Sequence, residues 1–456
     1  MALKAHFLRL LSSLSLNLLI AELAACEYNG ATAITSSSST YMMQSSSQAS
    51  VDLTVIPPIS NLTGDHGKKR NKKKISAYYP SYNADQRPVS DIKYEHYDEL
   101  VFFVATTNQN FTIGLGDIEQ EVWDSRAHEF VHRCKKAGVT PFYCLGGWTG
   151  SIYFSSLVST ASNRTEYATS AVNFAKKYGF EGIDIDWEYP SIQGIGCNIV
   201  SDADVENYQL FLKEIKRIWP EGKLSTAVSI GGIRASDYSP LPASNLTTLI
   251  DVVDKLNIMA YDVYGSWSTT TGPLSPLQST CADDENQISV ESAVEVYLQQ
   301  GFKPSQMALG IPTYGRSWTL ASPILTPRTV QNYTTYYYQN FTDIPRGGQF
   351  DDEPGVDVCG QNSTSWGGTI LFTELLSRGY LDEDEMASAD FVRYYDECSR
   401  QPFIVNGTLM ISYDDTRSTL RKVQYAKSKN LAGVYFFDTL GTTERSLRAV
   451  RQVLNS

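Results

Sequence analysis

Residues 181–190 read EGIDIDWEYP, and the alternation within this short stretch decides how the chain is interpreted. Successive side chains of a β-strand point to opposite faces, so Asp184, Asp186 and Glu188 share one face and the apolar residues between them share the other. In a barrel strand the apolar face packs on helices and the other face points inward. Three crowded carboxylates cannot all ionise easily near pH 7, so we expect one to keep its proton and serve as a general acid.

Similar runs recur along the chain. Eight stretches rich in β-branched or aromatic residues are predicted strands, at 75–79, 100–105, 139–145, 182–188, 223–230, 255–262, 307–314 and 433–437. Amphipathic segments between them are predicted helices, at 126–137, 166–178, 204–218, 290–300 and 418–429. Strands alternating with helices predict an α/β fold, a (β/α)8 TIM barrel, with Glu188 at the C-terminal mouth where barrel enzymes act. A solvated edge strand would show the same alternation, but a closed barrel has no edge.

One interval is too long for a single strand-helix repeat. More than a hundred residues separate positions 314 and 433, where about 35 would suffice. We expect residues 318–403 to form a small inserted domain after strand 7, with the barrel resuming near residue 409. Cys359 and Cys398 could staple this insertion, and Cys197 could pair with Cys281 in the loops after strands 4 and 6.

The N-terminal region differs from the rest. Residues 1–25 combine two basic residues, an apolar stretch and small residues, which is typical of a signal peptide, although residues 23–26 also match a bacterial lipoprotein box. Residues 26–74 are rich in Ser and Thr and then basic, which predicts a linker or a pro-segment. The dibasic pair Lys69-Arg70 suggests removal of residues 26–70. The catalytic domain would then be residues 75–456.

Composition bears on localisation and partners. Eight N-glycosylation sequons, roughly twice the number expected by chance, favour a eukaryotic secretory route, at Asn61, Asn110, Asn163, Asn245, Asn332, Asn340, Asn362 and Asn406. From residue 75 onward 30 basic residues face 46 acidic ones, a balance that repels nucleic acid and anionic membranes. With five His and no C-x-x-C or H-E-x-x-H motif, we expect no metal and no cofactor. The expected protein is a secreted monomer, extracellular or in the cell wall.

The stretch at 181–188 resembles the D-G-x-D-x-D-x-E signature of family-18 glycoside hydrolases, the chitinases and their relatives. Further motifs of that family follow at the expected strands: CLGGW at 144–148, MAYD at 259–262 and YGR at 314–316, while AYYPSY at 77–82 is similar to its first strand. The resemblance covers nearly the whole chain from residue 75. It implies a eukaryotic, fungal and secreted type of chitinase, in which an α+β insertion after strand 7 deepens the cleft.

The resemblance also implies a mechanism, substrate-assisted and retaining hydrolysis of β-1,4-linked N-acetylglucosamine by an endo-acting chitinase, with chitin or chitooligosaccharides as partner. Glu188 would protonate the leaving oxygen and later activate water. Asp186 would orient the substrate acetamide, Asp184 would share a proton with Asp186, and Tyr261 would donate a hydrogen bond to the acetamide oxygen. The implied substrate-binding residues are Tyr78, Gly147, Trp148, Met259, Asp262, Tyr314, Arg316 and Phe437.

Three departures from the family pattern qualify this interpretation. Glu181 replaces the first Asp of the signature, far from the chemistry. Cys144 replaces a Ser that would hydrogen-bond the buried carboxylate, and a thiol is a weaker donor. Phe437 stands where the family usually has the Trp beneath the reacting sugar. Two alternatives therefore stay open: a chitin-binding lectin on the same barrel, and an enzyme cutting the chitobiose core of N-glycans.

Overall fold

The computed structural model describes residues 73–283 and 287–456, and its centre is a closed barrel of eight parallel strands. The strands are β1 (Lys74–Pro80), β2 (Glu99–Thr107), β3 (Thr140–Gly146), β4 (Gly182–Asp186), β5 (Lys223–Ser229), β6 (Lys255–Met259), β7 (Met307–Pro312) and β8 (Gly433–Phe437). Each pairs with its neighbours in chain order, and β8 closes the ring against β1. The predicted (β/α)8 barrel is confirmed.

Helices follow each of the strands β2 to β8, and one more lies in the segment inserted after β7. They are α1 (Gln120–Ala137), α2 (Phe154–Val158), α3 (Ala161–Tyr178), α4 (Asp204–Ile218), α5 (Thr247–Val252), α6 (Val290–Gln299), α7 (Phe372–Ser377), α8 (Thr416–Ser428) and α9 (Glu444–Asn455). α1 and α3 end at Gly138 and Gly179, whose φ angles of 73° and 81° are left-handed. Both helices carry two lysines in the last turn, which offsets the helix dipole before the chain enters the next strand.

The alternation in β4 separates two environments. Ile183 and Ile185 are fully buried and belong to the apolar layer between strands and helices. Trp187 joins them, stacking on Phe154 with ring centroids 5.1 Å apart. Burying side chains of this size stabilises the fold by about 1.5–3 kcal/mol each. That layer holds β4 in the orientation that turns its carboxylates toward the barrel interior.

The insertion after β7 is built on an antiparallel sheet with the short helix α7. Its strands are Tyr314–Leu320, Phe341–Asp343, Thr369–Leu371, Val392–Asp396, Gln401–Asn406 and Leu409–Ser412. The first strand follows β7 after one residue and pairs with the last, Leu409–Ser412. The sheet therefore extends beyond the expected bounds 318–403 on both sides, because its central strands are the two that join it to the barrel.

A two-stranded hairpin projects from this insertion. Gly355–Val356 pairs with Asn362–Ser363, and at its base the Gly367 amide donates to the Asp352 carbonyl over 3.0 Å. We call residues 352–367 the arm. At its tip the Asp357 side chain accepts hydrogen bonds from the backbone amides of Cys359 and Gln361, at 2.8 and 2.7 Å. These bonds hold Cys359 at the turn.

The cysteine pairing predicted from sequence is wrong. The disulfides are Cys197–Cys359 and Cys281–Cys398, not Cys359–Cys398 and Cys197–Cys281. The two insertion cysteines lie on different parts of that domain. Cys359 is at the tip of the arm, whereas Cys398 lies in the turn between two sheet strands, where the Ser399 carbonyl accepts from the Leu277 amide in the loop after β6. Each cysteine of the insertion is therefore bonded to a cysteine in a barrel loop, and not to the other cysteine of the insertion.

Some features predicted from the sequence lie outside the described residues, and others can be checked against the structure. The predicted signal peptide, residues 1–25, the hypothetical pro-segment, residues 26–70, and the sequon at Asn61 lie outside the described residues. Among the residues that are described, no helix is both long and apolar enough to cross a membrane. Of the seven described sequon asparagines, all but Asn163 are exposed.

Candidate active site

Asp184 lies at the inner end of the carboxylate row, fully buried in the barrel. The Tyr78 hydroxyl donates to its Oδ2 over 2.7 Å, and Asn257 Nδ2 donates to its Oδ1 over 2.9 Å. The Ser225 hydroxyl also donates to Oδ1, and the Cys144 thiol is hydrogen-bonded to the same carboxyl. Burial raises the pKa of Asp184, and the hydrogen bonds from Ser225 and Tyr78 oppose that rise.

Asp186 is one step nearer the mouth and is 4% exposed. Among residues 73–283 and 287–456, none is a hydrogen-bond partner of its buried Oδ1. Burial raises the pKa of Asp186 well above its usual range, and the negative charges of Glu188 and Asp184 raise it further. Because buried polar atoms normally find a partner, this oxygen is a site with unused hydrogen-bonding capacity.

Gly147, which follows β3, lies directly against the backbone of Asp186. Its amide donates to the Asp186 carbonyl over 2.7 Å, and its φ of 76° is left-handed. A Cβ at this position would also stand 3.2 Å from the Phe103 ring. Only glycine meets both conditions without strain. The next residue, Trp148, is half-buried, and in the described part of the chain its buried Nε1 has no hydrogen-bond partner.

Glu188 follows β4 at the barrel mouth and is held at its backbone. Its amide donates to the Ser151 hydroxyl over 3.0 Å, and its carbonyl accepts from Asn198 Nδ2 over 2.7 Å. Burial raises the pKa of Glu188 to about 7, with the charge of Asp262 adding to the rise and a hydrogen bond from Tyr189 opposing it. A carboxyl with this pKa is protonated in a large fraction of molecules at neutral pH, as a general acid requires.

Aromatic rings surround the carboxylate row. The Tyr261 hydroxyl lies 3.1 Å from that of Tyr435, and the Tyr261 ring stacks on Phe437 with centroids 5.8 Å apart. Phe437 also contacts Tyr78, with centroids 5.6 Å apart, and Met259 packs against the same cluster. This arrangement forms an apolar floor edged with hydroxyl groups, the combination that suits a sugar ring.

Asp262, next to Glu188, is held in place by residues at the start of the insertion. We call Asp262 and Arg316 the wall. Arg316, 1% exposed, donates from Nε and Nη2 to Asp262 Oδ1 over 3.1 and 3.0 Å. The Tyr314 hydroxyl is hydrogen-bonded to the same carboxylate, and the Arg316 guanidinium lies 5.1 Å from the centre of the Trp267 ring. Asp262 is thereby fixed next to the acid whose pKa it raises.

The structure adds four residues that sequence reasoning missed: Ser225, Asn257, Tyr435 and Tyr189. Two had a usable signal, because Asn257 and Tyr435 lie two positions before Met259 and Phe437 and therefore share their inward face. Ser225 is in register with Asp184 on the neighbouring strand, which only the sheet pairing reveals. Tyr189 lies past the end of β4, where strand alternation no longer applies.

The twelve residues named from sequence all lie at or near the C-terminal ends of barrel strands, or at the start of the insertion. Contacts link Asp184, Tyr78, Phe437, Tyr261 and Met259 into one cluster. A second group joins Asp262, Arg316 and Tyr314. Over the described ranges, no group of three or more His, Cys, Asp or Glu side chains is arranged to hold a metal ion.

Known proteins resemble this chain over most of its length. The family model "Glycosyl hydrolases family 18" matches residues 74–440. A chitinase-like effector of Moniliophthora roreri is 33% identical over 369 residues, covering 80% of this chain and 88% of the relative. Chitinase A1 of Niallia circulans is 29% identical over 368 residues, covering 74% of this chain and 48% of the relative.

A solved structure confirms the fold. A crystal structure of a chitinase from Rhizomucor miehei superposes with a TM-score of 0.72 at 24% identity, covering 84% of this chain and 100% of that one. Since the family model spans the barrel, the insertion and all three carboxylates, the chain belongs to glycosyl hydrolase family 18.

Proposed function

We propose that this chain is a chitinase that cleaves β-1,4 bonds between N-acetylglucosamine units by a retaining, substrate-assisted mechanism. The observation that carries the proposal is the pair formed by Glu188, whose pKa is about 7, and Asp186, whose buried Oδ1 lacks a partner among the described residues. One group can supply a proton, and the other can accept a hydrogen bond from the substrate. Relatives named as chitinases support this assignment.

The nucleophile in this proposal is the acetamide oxygen of the substrate. Asp186 ends β4 and Glu188 follows two residues later, so we infer that both lie on the same side of a bound sugar and that neither lies across the bond as a protein nucleophile would. Glu188 protonates the leaving oxygen while Asp186 and Tyr261 hold the acetamide against the anomeric carbon. The same glutamate then removes a proton from the water that opens the cyclic intermediate.

Asp184 acts through its neighbour. Both of its oxygens already accept hydrogen bonds, from Tyr78, Ser225 and Asn257. Its charge raises the pKa of Asp186. In our proposal Asp184 therefore tunes where the shared proton of the pair resides, and Tyr78 and Asn257 keep its orientation.

We propose that the protein acts outside the cell as a monomer and binds chitin or chitooligosaccharides. Two disulfides and six exposed sequon asparagines support passage through an oxidising secretory route. From the sequence we expected attack on internal bonds of the polymer. Whether internal bonds are attacked depends on how a polymer chain enters the site.

A second candidate is chitin binding without cleavage. Two relatives, at 33% and 31% identity, are named chitinase-like effectors. Phe437 offers a reacting sugar less ring area than the tryptophan that the family resemblance leads one to expect. Against this candidate, the acid Glu188 and its partner Asp186 are both present and both have raised pKa values.

Product analysis separates these functions. The protein is incubated with N-acetylglucosamine hexamer and, separately, with an N-glycan, and products are followed by NMR and chromatography. We expect shorter oligomers from the hexamer, with the β-anomer formed first, since two inversions retain configuration. If the α-anomer forms first, the retaining mechanism is wrong. Binding of the hexamer without products would favour the second candidate. Cleavage of the N-glycan alone would show that chitin is not the substrate.

A further inference from the structure

The arm begins beside the aromatic residues that surround the carboxylate row. Just before its base, Phe350 packs against the same apolar cluster as Phe437, at the end of β8. At its base, the charge of Asp352 acts on Arg316 and on Tyr82, which follows β1. The root of the arm is therefore near the ends of β7, β8 and β1, on one side of the mouth.

The tip of the arm ends on the other side. Cys359 is bonded to Cys197, nine residues after Glu188 in the loop that follows β4, with Cα atoms 5.6 Å apart. This loop is tied to the loop after β3, where the Ile152 carbonyl accepts from the Ile199 amide over 2.9 Å. In a ring of eight strands β4 lies opposite β8, and β5 and β6 separate it from β7.

The arm reaches well away from its base. Five residue steps separate Asp352 from Asp357, where the turn begins, and an extended chain advances about 3.3 Å per step, or at most roughly 17 Å in all. At the tip Val356 and Val358 are 49% and 45% exposed, whereas Asp357 between them is buried. The Cys197–Cys359 disulfide fixes this tip covalently to the loop after β4.

The second disulfide provides a natural contrast. Cys281–Cys398 also joins a barrel loop to the insertion, but its loop follows β6, the direct neighbour of β7. It therefore links two adjacent segments of the rim, whereas Cys197–Cys359 links two segments that face each other across the mouth.

We propose that the arm and the Cys197–Cys359 disulfide form a covalently closed bridge across the substrate cleft. A polysaccharide then reaches Glu188 by threading a chain end beneath the arm, so short oligosaccharides and chain ends are preferred over internal bonds. This inference rests on the proposed chitinase function and narrows it, because it replaces the expected attack on internal bonds with attack from chain ends.

The test compares two matched double variants, Cys197→Ser with Cys359→Ser, and Cys281→Ser with Cys398→Ser. For each, kcat/KM is measured on a soluble long-chain chitin derivative and on N-acetylglucosamine tetramer, and the fall in viscosity per bond cleaved is recorded. Opening the bridge should raise the polymer-to-tetramer ratio several-fold and steepen the fall in viscosity, while the control pair keeps the wild-type ratio. A wild-type ratio in both variants would overturn the proposal.

A third variant guards against effects of misfolding. Replacing residues 355–363 by two glycines, together with Cys197→Ser, shortens the arm and leaves the Asp352–Gly367 hydrogen bond at its base. Provided that its thermal melt matches that of the disulfide variant, it should show the same raised ratio, and an unchanged ratio would contradict the bridge. If wild type cleaves neither substrate, the chitinase proposal fails. The bridge is then tested by association rates of labelled polymer and tetramer, where faster polymer association without the arm supports it and equal rates overturn it.

Discussion

The two ends of the carboxylate row differ in how completely their hydrogen bonds are satisfied. At the inner end, Tyr78, Ser225 and Asn257 occupy both oxygens of Asp184. At the outer end, no described residue is a hydrogen-bond partner of Asp186 Oδ1, and burial and a neighbouring charge raise the pKa of Glu188 to about 7. The short stretch from Asp184 to Glu188 thus carries a structural carboxylate and a chemically available pair.

The two ends are completed by different parts of the fold. At the inner end, side chains from β1, β5 and β6 donate to both oxygens of Asp184. The outer end is completed by loops and by the insertion, through Asp262 and Arg316. Groups that a folded protein leaves unsatisfied in a buried site are those that a substrate can satisfy.

Glu188→Gln should lower kcat by about 10²–10⁴-fold, because an amide cannot donate the catalytic proton. Binding of oligosaccharide should persist, since shape and most hydrogen bonds are kept. Steady-state kinetics and calorimetric titration check the two parts. The matched control is Glu181→Gln at the opposite end of the same stretch, where the side chain is exposed and pairs with Lys223. Near-normal activity of Glu188→Gln would show that Glu188 is not the general acid.

Asp186→Asn should lower kcat by about 10²–10³-fold, the usual cost of losing one preorganised group at a developing charge. The substitution removes a carboxyl that can give up its proton and face a cationic intermediate as an anion, and presents an amide in its place. Substrates whose N-acetyl group is replaced by a free amine should be poor for the wild type for the same reason. Full cleavage of such a substrate would contradict the acetamide as nucleophile.

Asp184→Asn should affect stability more than turnover. Four side chains are hydrogen-bonded to this carboxyl, three of them through hydroxyl or amide donors and the fourth through the Cys144 thiol, and an amide would lose at least one of these bonds at a cost of about 1–3 kcal/mol. Turnover should fall less than in Asp186→Asn, because Asp184 acts only through its neighbour. Thermal denaturation and kcat are measured on the same preparation. A loss of kcat equal to that of Asp186→Asn, with unchanged stability, would refute the contrast between the two ends.

Asp262→Asn should shift the pH profile. In the wild type kcat/KM should fall as pH rises through about 7, since Glu188 then loses its proton. The charge of Asp262 raises the pKa of Glu188, and its removal leaves the Arg316 cation without that partner, so the alkaline limb should move to lower pH. A profile of kcat/KM against pH decides the question, and a shift toward higher pH would show that the wall does not control the acid.

Sequence reasoning succeeded best where neighbouring positions carry the information. The eight barrel strands and the inward face of β4 that carries Asp184 and Asp186 follow from a period of two residues, and the structure has both. Glu188 lies just past the end of this strand, at the mouth. The same period could have added Asn257 and Tyr435. It could not have added Ser225, because register between strands is set by the closed sheet and not by either strand alone.

It failed where distant segments meet. Cys359 and Cys398 share the insertion and were expected to pair, but the hairpin turns Cys359 away from the domain toward the loop after β4. Proximity along the chain predicted the wrong partner because a disulfide depends on the separation of Cα atoms in space.

The barrel, the row of three carboxylates and its place at the mouth could be predicted from the sequence. They depend on alternation and on local turns, which act over a few residues. The disulfide partners, the Asp262–Arg316 ion pair and the burial that raises the pKa of Glu188 became visible only in the folded chain. Each of these arises from burial and contact between segments far apart in the chain, and such contacts exist only once the barrel has closed.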